Sequence, residues 1–113
     1  MVVLLTALSS APSGPPLNLT GKAVSSTSIM LFWEPPLISE QNGLIRYYNT
    51  SITDSSIGTQ NIYQVSSEHT QLVVASLHPY HSYKCSVAAA TISLGVQTMP
   101  IVINTPQDGM HIM

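Results

Sequence analysis

Two tripeptides, Asn18-Leu19-Thr20 and Asn49-Thr50-Ser51, fit the acceptor pattern for N-linked glycosylation, an amide nitrogen with a hydroxyl two residues on. The other residues able to do chemistry form no catalytic set. His78 and His81 flank Pro79-Tyr80 at i and i+3, but a metal ion wants three or four organised ligands, and no cysteine or carboxylate lies close to them in sequence. His69 and His111 stand alone. Glu34, Glu40, Asp54, Glu68 and Asp108 fall in separate turns, at a strand end or near the C-terminus, with no evident acid–base pair. There is no Gly-x-Ser-x-Gly elbow and no glycine-rich phosphate loop. The expectation is therefore no catalytic residue, no metal, no cofactor and no enzyme.

Charge narrows the partners. Lys22, Arg46 and Lys84 are the only lysines and arginines, and the formal net charge is −2. Three scattered cations make no basic patch, so nucleic acid is not an expected ligand. One cysteine, Cys85, allows no intrachain disulfide, and on an alternating strand it is expected to behave as a small buried apolar residue. Met1–Leu8 is apolar but lacks a positive leading region and is broken by Thr6, so it reads as a strand or linker tail rather than a signal peptide. No stretch reaches the roughly 18 apolar residues of a membrane span, and no direct membrane contact is expected.

The elements that would position these residues follow from a period of two. Ile29, Leu31 and Trp33 share one strand face; Met30, Phe32 and Glu34 share the other, leaving Phe32 exposed. Pro35 and Pro36 end that strand. Leu17–Val24 reads as a first edge strand with Leu19 inward. Asn42-Gly43 suits a positive-φ turn before a third strand, Leu44–Thr53, with Ile45, Tyr48, Thr50 and Ile52 inward and a bulge between Ile45 and Tyr48. Thr59–Val65 and Thr70–Ala75 give two more strands, the latter with Leu72 and Val74 inward. In the sixth, Tyr83, Cys85, Val87 and Ala89 point one way. A last strand, Val96–Asn104, contains Pro100 and must lie at an edge or a bulge. Seven strands separated by short turns predict an all-β, two-sheet antiparallel sandwich of the immunoglobulin-like kind.

From about Pro15 to Pro106 the chain resembles a fibronectin type III domain. Trp33 matches the tryptophan that ends the family's second strand. Gly43, Ile45 and Tyr48 match its Gly-x-Ile-x-x-Tyr pattern; Leu77, Pro79, Tyr83, Val87 and Ala89 match its Leu-x-Pro-x-x-x-Tyr-x-x-x-Val-x-Ala run, followed by Gly95. The linker style is similar to that of tandem arrays in receptor-type tyrosine phosphatases and adhesion proteins. Thr50 departs from the family's usual valine, and a buried hydroxyl there needs a partner. The core markers are Trp33, whose indole nitrogen needs an acceptor, Tyr48, Leu77, and Tyr83, whose hydroxyl should reach backbone in the preceding loop.

The resemblance implies residues 1–14 as a linker or the tail of a preceding domain, 15–106 as the domain and 107–113 as a tail. It implies a noncatalytic extracellular spacer and protein-interaction module of a cell-surface or secreted protein, whose full-length parent could carry phosphatase activity in a separate domain. A structural module of an intracellular filament or scaffold, and a ligand-binding receptor domain, are the alternatives. Neighbouring fibronectin type III domains and an unidentified protein ligand are the expected partners, with the isolated domain a monomer. Phe32, Leu37 and Leu94 are the candidate interaction residues, and Asn18 and Asn49 the candidate glycan acceptors.

Overall fold

The computed structural model describes residues 9–107; the expectations for Met1–Leu8 and for the tail beyond Gln107, His111 included, lie outside the described residues. Among the described residues, eight strands run in the order β1 (Leu17–Ser25), β2 (Ser28–Glu34), β3 (Tyr47–Asp54), β4 (Gln60–Ser66), β5 (Gln71–Val74), β6 (Ser82–Ala90), β7 (Leu94–Gln97) and β8 (Ile101–Asn104). One helical turn, α1 (Ile38–Gln41), lies between β2 and β3. Strands β1-β2-β5 form one antiparallel sheet; β4-β3-β6-β7 form the other, in which β8 also pairs with β6.

The expected seventh strand is β7 and β8 together. From Gln97 to Ile101 the chain takes four steps, while their partners, Ala88 and Cys85, are three apart. The extra residue falls where Pro100 lacks an N–H, so the strand breaks there and resumes. Next to the break, the Thr98 amide donates to the Val87 carbonyl at 2.8 Å, and its hydroxyl accepts the Val87 amide at 3.0 Å.

The core forms where the alternation predicts. Ile29, Leu31 and Trp33 from β2, with Val74 from β5, meet Tyr48, Thr50 and Ile52 from β3 and Tyr83, Cys85, Val87 and Ala89 from β6. Trp33 and Tyr48 pack edge to face with ring centroids 5.5 Å apart. Leu19, Ile45, Leu72 and Leu77 are half-buried against this cluster. The Thr50 hydroxyl finds its partner, donating to the Tyr63 carbonyl at 2.8 Å. Trp33 Nε1 does not; it is buried with no acceptor among the described residues.

Three local expectations change. The third strand begins at Tyr47 rather than Leu44. Ile45 therefore precedes the ladder, and the three-residue step to Tyr48 reflects entry into the strand rather than a bulge within it. Phe32 is half-buried, not exposed, on a face where Thr20 and Gln71 are its cross-strand neighbours. On the outward face of β6, Ser86, Ala88 and Ala90 are also buried. The two alanines are short and lie between longer neighbours, Asn49 and Gln97 for Ala88 and Tyr47 and Leu94 for Ala90, and the Ser86 hydroxyl reaches Gln97 Oε1 at 3.5 Å.

Candidate functional site

Strand register assigns the loops to two poles. Leu17 pairs with Glu34, and Tyr47 pairs with both Ser66 and Ala90. The entering chain, the β2–β3 connection and the β6–β7 turn therefore share one pole. The β3–β4 turn, the β5–β6 loop and the exit from β8 share the other, where Asp54 pairs with Tyr83.

At the entry pole, residues 9–14 lie as a strap between two loops. Ser10 N–H donates to the Asn42 carbonyl and Ser13 N–H to the Glu40 carbonyl, both at 2.8 Å. Asn42 Nδ2 donates to the Ala11 carbonyl at 3.0 Å. From the other side, the Thr91 hydroxyl donates to the Ser10 carbonyl. Pro12 is buried against Gly95, where a Cβ would stand 2.7 Å from both the Pro12 Cβ and its carbonyl oxygen. A side chain at position 95 is thus excluded by the strap itself. Asn42 and Gly43, at φ 59° and 146°, turn the chain out of α1 toward β3, a conformation suited to this pair.

Around the strap, apolar side chains face solvent. Leu37 is 52% exposed, Ile38 87%, Leu44 76%, Ile92 63% and Leu94 43%. Leu37, in the β2–β3 connection, and Leu94, the first residue of β7, both chosen from sequence as interaction candidates, thus flank the two loops that the strap joins. Phe32 is not with them; it belongs to the outer face of the three-stranded sheet. Leu44 and Ile92 were missed, because reading them as neighbours needs the Tyr47–Ala90 register.

The opposite pole carries a polar network that the sequence reading also missed. His81 Nδ1 lies 2.8 Å from Asp54 Oδ2, and Asp54 is 4% exposed. Burial alone would raise the Asp54 carboxyl, but the His81 ring, its charge and the amides of Ser56 and Ile57 more than offset it and hold the pKa below the usual carboxylate value. Tyr83 makes the expected corner: its oxygen accepts the His78 amide at 2.7 Å. The Thr105 hydroxyl donates to the His78 carbonyl at 2.7 Å and accepts the His81 amide at 3.0 Å. These bonds hold the β5–β6 loop against the chain leaving β8. Cys85 is buried and free, its thiol pushed up to about 12 by burial, so it carries no nucleophile at neutral pH. Among the described residues, no group of three or more His, Cys, Asp or Glu could hold a metal ion. No helix among them is long and apolar enough to cross a membrane.

Of the two sequons, Asn18 is exposed and Asn49 is half-buried on the central strand β3, where Gln64 and Ala88 oppose it. The candidate interaction and acceptor residues are therefore spread over the surface; Leu37 and Leu94 come to the same pole, and Asn18, the second residue of β1, lies near it.

A fibronectin type III domain model matches residues 14–102. The chain is 33% identical over 98 residues to tyrosine-protein phosphatase Lar of Drosophila melanogaster, a match covering 86% of this chain and 5% of that protein. It is 37% identical over 102 residues to protein sidekick-1 of Gallus gallus, covering 88% of this chain and 5% of the relative. The crystal structure of the FN5 domain of Drosophila Lar superposes with a TM-score of 0.70 at 28% identity, covering 85% of this chain and 98% of that one. The chain thus spans about a twentieth of the curated relatives it matches. This similarity identifies a noncatalytic extracellular module of the kind carried by cell-surface receptors and adhesion proteins.

Proposed function

This chain belongs to the fibronectin type III family, and on that premise we propose that it acts as a spacer whose entry pole is a stiff joint to a preceding domain. The observation that carries this reading is the strap. A chain entering through residues 9–14 is held by hydrogen bonds to both neighbouring loops and by Pro12 against Gly95, so its direction is set by the fold. Pro15 and Pro16 stiffen its continuation into β1. The exposed Leu37, Ile38, Leu44, Ile92 and Leu94 surround the point of entry and supply the apolar contact that a neighbouring domain of an array would cover. In this reading the module sets distance and angle, a protein ligand contacts the array, and the isolated domain is a monomer. Any phosphatase activity belongs to a separate domain of a parent.

Small-angle X-ray scattering tests the joint, on a two-domain array made of this domain and the one before it in the parent. One maximum dimension that stays narrow across salt concentrations is expected, with broadening in the Leu37→Ser, Leu44→Ser, Ile92→Ser triple variant. A broad, linker-like distribution in the unsubstituted array would sink the reading.

A further inference from the structure

Asn18 differs from Asn49 in more than exposure. It lies at the edge of the three-stranded sheet, where the register jumps from Leu17–Glu34 to Thr20–Phe32. Asn18 and Leu19 thus oppose the single residue Trp33, a β-bulge, and Asn18 takes a left-handed φ of 56°. Asparagine tolerates that conformation better than most residues. Asn18 is exposed at this edge, and the hydroxyl residue of the tripeptide, Thr20, is exposed as well. Asn49 has strands on both sides, and its hydroxyl residue Ser51 is only 6% exposed between Ile62 and Ser86.

Beside Asn18 runs an open groove of about 290 Å³ between the start of β1 and the β7–β8 break. Pro15, Pro16, Leu19, Met99, Pro100 and Ile101 line it, and Met99 is 84% exposed. Asn18 forms part of its rim, so a group attached to Nδ2 starts at the groove. A pyranose ring, apolar on its faces and polar at its edges, suits such a floor.

We propose that Asn18 is the N-glycan acceptor of this domain and that the first sugar of the glycan covers this groove. The inference rests on the extracellular placement. In the transfer, Asn18 Nδ2 bonds to C1 of an oligosaccharide carried on a lipid pyrophosphate. The C1–O bond to the pyrophosphate breaks, the lipid pyrophosphate leaves with that electron pair, and one amide proton is lost to base. On a strand at the sheet edge, the glycan would also obstruct pairing with a second chain.

The test is expression of the chain with a secretion leader in animal cells, followed by intact mass before and after peptide-N-glycosidase. Secretion is imposed there, so an unmodified product counts against the site and leaves the module reading untouched. A mass gain that the enzyme removes, that survives Asn49→Gln, and that disappears in both Asn18→Gln and Thr20→Ala is expected. Thr20→Ala keeps the native residue at the bulge, so its loss of glycan cannot be laid to misfolding at position 18. An unmodified chain, or a gain kept in full by Asn18→Gln, overturns the acceptor. Thermal melts of secreted protein trimmed to one sugar and of bacterially expressed protein, which carries no sugar and keeps Asn18, test the groove. A lower melting temperature for the sugar-free form supports the placement, and equal temperatures overturn it.

Discussion

Replacing Tyr83 with phenylalanine isolates one bond at the exit pole. The ring is 2% exposed and keeps its packing, so the change removes only the hydroxyl. That oxygen accepts the His78 amide at 2.7 Å and reaches the His78 carbonyl at 3.4 Å. The carbonyl keeps a second partner, the Thr105 hydroxyl at 2.7 Å, so the amide alone is orphaned. An unsatisfied buried donor costs about 1–3 kcal/mol, and this largely exposed loop, His78 included, lets water recover part of it, giving a loss of about 1–2 kcal/mol. At about 4–8 °C per kcal/mol for a domain of this size, the melting temperature should fall by roughly 4–16 °C. Urea unfolding followed by tryptophan fluorescence should show a lower midpoint with the slope unchanged. Thr105→Val acts on the same loop, and the double variant should be non-additive by about 0.5 kcal/mol or more. A loss below about 0.5 kcal/mol for Tyr83→Phe, or full additivity of the pair, would refute the claim that these bonds lock the loop as a unit.

Three further outcomes follow from the same geometry. Gly95→Ala places a methyl against Pro12 and should displace the strap; the cost should be no more than about 1–3 kcal/mol, since the strap can move before the sheet does, read by thermal melt and by the amide signals of Ser10 and Ser13. Asp54 has its pKa lowered by folding, so its contribution to stability is present above the ordinary carboxylate value of 3.8 and is lost as the pH falls through the lower folded value. Asp54→Asn should therefore lower stability at neutral pH and flatten the acid limb, as measured by urea midpoints across the acid range. Cys85, with its thiol near 12, should resist alkylation in the native protein at mildly alkaline pH and react at a rate that tracks unfolding as denaturant is added.

The sandwich was legible because its core strands alternate. Ile29, Leu31 and Trp33, and Tyr83, Cys85, Val87 and Ala89, are buried as period two requires. Pro100 marked the break in the last strand because a missing N–H is a local property. The Asp54–His81 contact was not legible, since its members are 27 residues apart and meet only through the β3–β6 register. Burial of Ala88 and Ala90 on an outward face likewise depends on the bulk of residues across the strand. Pro12 and Gly95 carried a faint signal of the strap, a rigid residue and one without a side chain, but nothing local pairs them. Trp33 Nε1 is the opposite case, where a sound rule about buried donors found no partner among the described residues.

The account stands most directly on the strap, because a fixed entry direction is what makes this domain a stiff joint rather than a bead on a string. Hydrogen exchange at the Ser10 and Ser13 amides measures it, since each donates to a carbonyl of the β2–β3 connection. Both amides should exchange slowly enough to follow, with protection that falls in Gly95→Ala while the β3 and β6 amides keep theirs. Exchange of Ser10 and Ser13 at the rate of an unfolded peptide in the unsubstituted protein would contradict the account.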